Sequence, residues 1–126
     1  MPLLKPKTRV LVLDDDPAMQ RLIRTVLRRA GHRVDVVSAG AQAIEQIDGN
    51  EYNLLLLDLM TPTEGGLTVM RHLKKSNPKM LRRVILVTAS PESLLRSVAG
   101  DAAAVVHKPF EAEELLATVK RVLTQQ

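Results

Sequence analysis

Asn53-Leu54-Leu55-Leu56-Leu57-Asp58 is an apolar run that ends in a single carboxylate. Its leucines show no polar alternation, which predicts a strand buried on both faces, as in a parallel sheet covered by helices. A charge does not stay inside such an element, so Asp58 is placed where the strand emerges, at its carboxyl end. In open parallel α/β sheets that edge is where ligands bind. A plainer reading stands beside this one, in which Asp58 only caps the loop after the strand. What the rest of the chain brings to the same edge decides between them.

With 126 residues the chain is the size of one domain with a single core. Hydrophobic residues make up 45% and charged residues 25%, the balance of a soluble globular protein. There is no cysteine, which excludes disulfides, thiol nucleophiles and Cys-based zinc sites and agrees with a cytoplasmic location. No apolar stretch approaches the roughly 20 residues needed to cross a bilayer, so no membrane partner is expected. Residues 1–7 read as a frayed lead-in, too short and interrupted for a signal peptide. The net charge of +4 raises nucleic acid as a partner, but the cations are spread out. Arg21, Arg24, Arg28 and Arg29 fall on the polar face of one helical segment, and Arg71, Lys74 and Lys75 on another. Tyr52 and Phe110 are the only aromatic residues, which argues against a base-stacking surface and direct nucleic-acid binding.

Strand-like and helix-like segments alternate five times, which predicts a parallel sheet with helices on both faces. Thr8–Leu13 reads as the first strand, and Asp16 as an N-cap before Pro17 at the first helical position. Met19, Leu22, Ile23, Val26, Leu27 and Ala30 form the apolar stripe of that helix, which Gly31 ends. Arg33–Val37 is the second strand, and Ser38 is expected to cap a helix with Ala43, Ile44 and Ile47 inward. After the run at 53–58, a loop over Met60–Gly66 leads to a helix carrying Leu67, Met70 and Leu73, stopped by Asn77-Pro78. Val84–Val87 is the fourth strand, Pro91 to about Val98 a short helix, and Ala103–Val106 the fifth strand. The last helix runs from Glu111 to about Leu123, with acids early and bases late, as the helix dipole favours.

Parallel strands all end on one edge. There the sequence delivers Asp14 and Asp15 from the first strand, Asp58 from the third, Thr88 from the fourth and Lys108 from the fifth. The second strand brings only Ser38. Clustered carboxylates repel one another, and a hard divalent cation with oxygen ligands, Mg2+ above all, resolves the repulsion. A lysine and a threonine hydroxyl beside it suit an anion. Together these groups describe phosphoryl transfer onto an aspartate, with Asp58 as nucleophile, Asp14 and Asp15 on the metal, and Thr88 and Lys108 on phosphoryl oxygens. Each residue also has a structural reading: an acidic turn for Asp14 and Asp15, a cap for Thr88, a snorkelling side chain for Lys108.

Val12-Leu13-Asp14-Asp15-Asp16-Pro17, Leu55-Leu56-Leu57-Asp58, Ile85-Leu86-Val87-Thr88-Ala89 and Lys108-Pro109-Phe110 follow one another in an order and spacing that resemble the receiver domain of two-component response regulators. The likeness covers essentially the whole chain, as one receiver domain over residues 1–126 similar to the stand-alone chemotaxis type; a piece of a longer regulator would look the same. It implies a flavodoxin-like, doubly wound five-stranded sheet of order 2-1-3-4-5. It implies a phosphoacceptor signalling switch rather than an enzyme with turnover, assisting its own phosphorylation and dephosphorylation. Asp58 would accept a phosphoryl group from a histidine kinase or phosphotransfer protein, with Mg2+ as cofactor and a downstream protein target as read-out. The metal ligands implied are Asp14, Asp15, Asp58 and the backbone carbonyl of Met60, and the Lys108-Pro109 bond is expected to be cis. Met60 and Ser90 fall where the family tunes acyl-phosphate hydrolysis, and an apolar Met60 predicts no fast dephosphorylation.

The chain departs from the family pattern in the loop after Asp58, where Thr61-Pro62 stands for Met-Pro and Glu64 comes one place early. It departs again at Val105, where receivers carry a Phe or Tyr that moves inward as the Thr88-type hydroxyl swings toward the phosphate. Thr88 and Val105 are therefore the switch positions, and the departure keeps a second reading in play, a phosphorylation-independent interaction module. A third reading, a haloacid-dehalogenase-type phosphohydrolase with Asp14 as nucleophile and Asp16 as acid, needs a further acidic pair. The sequence offers only Asp101 for it. A nucleotide or flavin site is disfavoured because no Gly-rich loop follows the first strand.

Overall fold

The computed structural model describes residues 8–59, 65–90 and 92–125. The expected lead-in at 1–7, the Met60 carbonyl and Pro91 lie outside the described residues. Five strands form one parallel sheet: β1 (Arg9–Leu13), β2 (Arg33–Val37), β3 (Leu54–Leu57), β4 (Val84–Thr88) and β5 (Ala104–His107). Their order is β2-β1-β3-β4-β5, as the resemblance implies. The helices are α1 (Pro17–Arg29), α2 (Gly40–Gly49), α3 (Gly66–Ser76), α4 (Glu92–Val98) and α5 (Ala112–Thr124).

The leucine run lies at the centre of this sheet, between β1 and β4, and every one of its leucines is inaccessible to solvent. Side chains of a strand alternate between faces. Leu55 and Leu57 therefore join Leu11, Leu13, Val69 and Leu73 on one side, while Leu54 and Leu56 join Val10, Val12, Ile23, Leu27, Leu115 and Val119 on the other. Two cores, one beneath α2, α3 and α4 and one beneath α1 and α5, thus share a central strand that needs apolar side chains in both directions.

The helix boundaries follow local chemistry. Asp16 caps α1 by accepting from the Ala18 N–H at 3.0 Å, with Pro17 first in the helix and Gly31 just past its end at φ +96°. Leu22, read as part of the inward stripe, is 45% exposed, and Ala30 is exposed too. The buried side of α1 is narrower than its apolar content and centres on Ile23 and Leu27. Arg24, read as a polar-face residue, is half-buried.

Ser38 is not the cap of α2. The N-cap is Ala39, and the Gln42 side-chain oxygen reaches back to accept from the Ser38 and Ala39 N–H groups at 3.0 and 3.1 Å. Pro78 ends the α3 pattern as expected, but the chain continues as a 3-10 segment over Pro78–Arg83 before β4. Proline suits the first position of such a turn, where its missing N–H is not needed.

Candidate functional site

The carboxyl edge gathers the expected residues. Asp14 and Asp58 follow β1 and β3 directly, and their N–H groups donate to Val37 and Leu13 carbonyls, extending the ladder past the strands. Both carboxylates are therefore fixed where a side chain is almost fully enclosed, with Asp14 at 1% and Asp58 at 6% exposure. Asp15 is exposed. One oxygen from each of Asp14, Asp15 and Asp58 lies within 4.8 Å of the others, close enough to share one cation.

Lys108 closes the site from β5. Its Nζ donates to Asp14 Oδ2 at 2.6 Å and to Asp58 Oδ2 at 3.0 Å, with 16% of the side chain exposed. The ammonium therefore bridges the two buried acids rather than standing apart from them. The Lys108 N–H donates to the Thr88 carbonyl at 3.1 Å, and the peptide bond to Pro109 is cis. Burial alone pushes the Lys108 pKa down, but the hydrogen bonds it donates to Asp14 and Asp58 outweigh it and hold the group cationic beyond its ordinary range. Burial pushes the Asp14 carboxyl up, and the Lys108 and Asp16 hydrogen bonds only partly oppose that. With all groups ionised, three carboxylates and one ammonium leave two negative charges, the complement of a divalent cation.

Thr88, at the end of β4, donates from Oγ1 to Asp58 Oδ1 at 2.8 Å. Its lone pairs accept from Ser90, whose N–H lies at 3.2 Å and whose hydroxyl lies at 2.7 Å. With its one proton committed to Asp58, Thr88 must accept from the Ser90 hydroxyl, so the buried group is fully satisfied. Val105 on β5 is half-buried. A cavity of about 520 Å³ between α4 and β5 is lined by Val105, Leu95, Ala99 and Ser90, so the space beside the smaller side chain reaches the partner of Thr88.

Two supporting residues escaped the sequence reading. The Gln20 amide donates to the Asp14 carbonyl and to Ser38 Oγ, tying the acidic turn to the end of β2. Only its position one turn into α1 hinted at this. Gly66 donates its N–H to the Asp58 carbonyl at 2.8 Å, and a Cβ there would lie 2.7 Å from the same oxygen. Gly66 lets α3 start against the backbone of Asp58. Asp101, the one further acid available to a phosphohydrolase, pairs instead with Lys74 at 3.6 Å, in the turn ahead of β5. Among the described residues, Asp14, Asp15 and Asp58 form the one acidic group able to hold a metal.

A family model described as the response regulator receiver domain matches residues 10–120. The response regulator MprA of Mycobacterium ulcerans is 37% identical over 118 residues, covering 91% of this chain and 50% of the relative. ArlR of Staphylococcus saprophyticus is 31% identical over 121 residues, covering 94% of this chain and 54% of the relative. The chain thus spans about half the length of the curated relatives it matches. Among solved structures, the response regulator TrrA of Thermotoga maritima, in complex with Mg2+ and beryllium fluoride, has a TM-score of 0.80 at 30% identity, covering 91% of this chain and 98% of that one. The receiver domain of a Pseudomonas aeruginosa sensor histidine kinase, with magnesium coordinated in its active-site cleft, has a TM-score of 0.83 at 26% identity, covering 94% and 99%.

Proposed function

The chain belongs to the response regulator receiver domains of two-component systems, and from that premise we propose that Asp58 is its phosphoacceptor. The observation that carries this is the convergence on Asp58 of Thr88 at one carboxylate oxygen and Lys108 at the other, beside Asp14 and Asp15. We take residues 1–126 as one receiver domain.

The donor set is all oxygen and carries two surplus negative charges, which fits Mg2+. Asp14, Asp15 and Asp58 would hold it, together with the Met60 carbonyl, which lies outside the described residues. When bound, the ion neutralises charge on the phosphoryl oxygens. The chain's own groups do the rest. A carboxylate oxygen of Asp58 forms a P–O bond as the P–N bond of a phosphohistidine breaks, and the electron pair leaves with the imidazole nitrogen. Lys108 and Thr88 already donate to Asp58, so a small shift brings the same donors onto phosphoryl oxygens. Once Thr88 turns to the phosphoryl group, its link to Ser90 changes, and the cavity beside Val105 lies next in line. We place the read-out there, with Thr88 and Val105 as switch positions and a downstream protein as target.

The donor would be a histidine kinase or phosphotransfer protein in the cytoplasm. Among the described residues no helix is long and apolar enough to cross a membrane. Phosphotransfer profiling tests the proposal: candidate kinases carrying labelled phosphohistidine should pass label to the wild type and not to Asp58→Asn. Equal labelling of both proteins would overturn it.

A further inference from the structure

The opposite edge of the sheet carries charge of the other sign. A cavity of about 760 Å³ opens there, among residues that precede strands: Arg9 and Arg33 at the starts of β1 and β2, Tyr52 ahead of β3, Lys79 and Arg83 ahead of β4. Its volume lies within the roughly 300–1,000 Å³ of small-molecule sites. Among the described residues, Glu51 is the only acid on its wall.

Part of that wall is built in advance. Tyr52 is buried, and its hydroxyl donates to Asp35 Oδ2 at 2.7 Å. The Arg9 guanidinium donates to the same oxygen at 3.1 and 3.3 Å and lies 4.9 Å from the Tyr52 ring centroid. Arg9 is therefore locked in place. The remaining three cations are not neutralised: among the described residues Arg33, Lys79 and Arg83 make no ion pair. Like charges lining one concavity repel, and the concave wall focuses their field on whatever enters. An anion relieves that repulsion, and a multivalent one does so best.

We propose that this amino-edge cavity binds a small molecule carrying two or three linked phosphate groups. Three unpaired cations against one carboxylate set the valence. The concave wall favours a compact ligand over a strand, and Tyr52, buried under Arg9, offers no free ring face for stacking bases. The proposal is independent of the phosphoacceptor reading, since the two sites lie at opposite ends of the strands.

Titration calorimetry with tripolyphosphate and with ATP, in metal-free low-salt buffer, tests it. Both probes should bind saturably at one site per chain, or tripolyphosphate alone if the cavity has no room for a nucleoside. Arg33→Ala/Lys79→Ala, at two exposed positions, should bind about tenfold more weakly. Arg21→Ala/Arg121→Ala removes the same charge from exposed positions off the cavity wall and should leave binding unchanged. Unchanged circular dichroism and melting temperature in both double variants show that they are folded. Equal weakening in both variants means general charge attraction only and overturns the proposal. So does the failure of both probes to bind, or binding of duplex DNA in their place.

Discussion

The ammonium of Lys108 lies 2.6 Å from Asp14 Oδ2 and 3.0 Å from Asp58 Oδ2, so one cation from β5 holds together two buried acids from β1 and β3. Its removal leaves both carboxylates without their shared partner. Lys108→Ala should destabilise the fold by about 2–4 kcal/mol in denaturant titration, somewhat below the cost for a fully buried pair because the side chain keeps 16% exposure. Adding Asp14→Asn to Lys108→Ala should recover part of that loss. No recovery would show that the cost comes from lost packing rather than from uncompensated charge.

Magnesium should raise the melting temperature of the wild type, because an ion that binds only the folded state stabilises it by mass action. Asp15 is the ligand to remove, since it is exposed and its loss leaves the core intact. Asp15→Ala should melt near the wild-type temperature without the ion and gain little from adding it. An undiminished magnesium response in Asp15→Ala would remove Asp15 from the metal site.

The Thr88 hydroxyl separates stability from reactivity. Thr88→Val keeps the shape but strips Asp58 and Ser90 of a buried partner, a loss of about 1–3 kcal/mol in thermal or chemical unfolding. Thr88→Ser retains the hydroxyl and should lose less than half as much. Phosphorylation by a small donor should slow markedly in the valine variant and little in the serine variant. Equal rates in both would mean that the Thr88 hydroxyl does not touch the phosphoryl group.

Tyr52 supplies a pH test at the other edge. Burial, then the bond to Asp35, pushes its pKa up to about 12 from an ordinary 10.0. The neutral phenol is thus favoured in the folded state. This contribution to stability is complete below pH 10 and is lost as pH rises toward 12. Tyr52 is the only tyrosine and there is no tryptophan, so tyrosinate absorbance reports this residue alone. Asp35→Asn should move the midpoint down while circular dichroism shows the fold retained; an unmoved midpoint would assign the whole shift to burial.

Much of this was legible in the chain. The run at Leu54–Leu57 identified the central strand because burial on both faces leaves no room for alternation, and the strand ends then named Asp14, Asp15, Asp58, Thr88 and Lys108. What stayed hidden depends on partners far away in sequence. Leu22 has the right helical phase for the core, yet none of the described residues buries it and it stays 45% exposed. Ser38 has the chemistry of a cap, yet Gln42 takes over the donors beside it. The basic cavity draws on the starts of four strands, so its cations look scattered along the chain and meet only in the fold. Gly66 carries no chemistry of its own, and its role appears only once α3 is set against the Asp58 carbonyl.

The central claim is that Asp58 accepts the phosphoryl group, and peptide mapping by mass spectrometry after incubation with acetyl phosphate and Mg2+ tests it most directly. The wild type should gain one acid-stable, base-labile phosphoryl group on the peptide containing Asp58, and Asp58→Ala should gain none. An unmodified wild type, or equal modification of Asp58→Ala, would contradict the account.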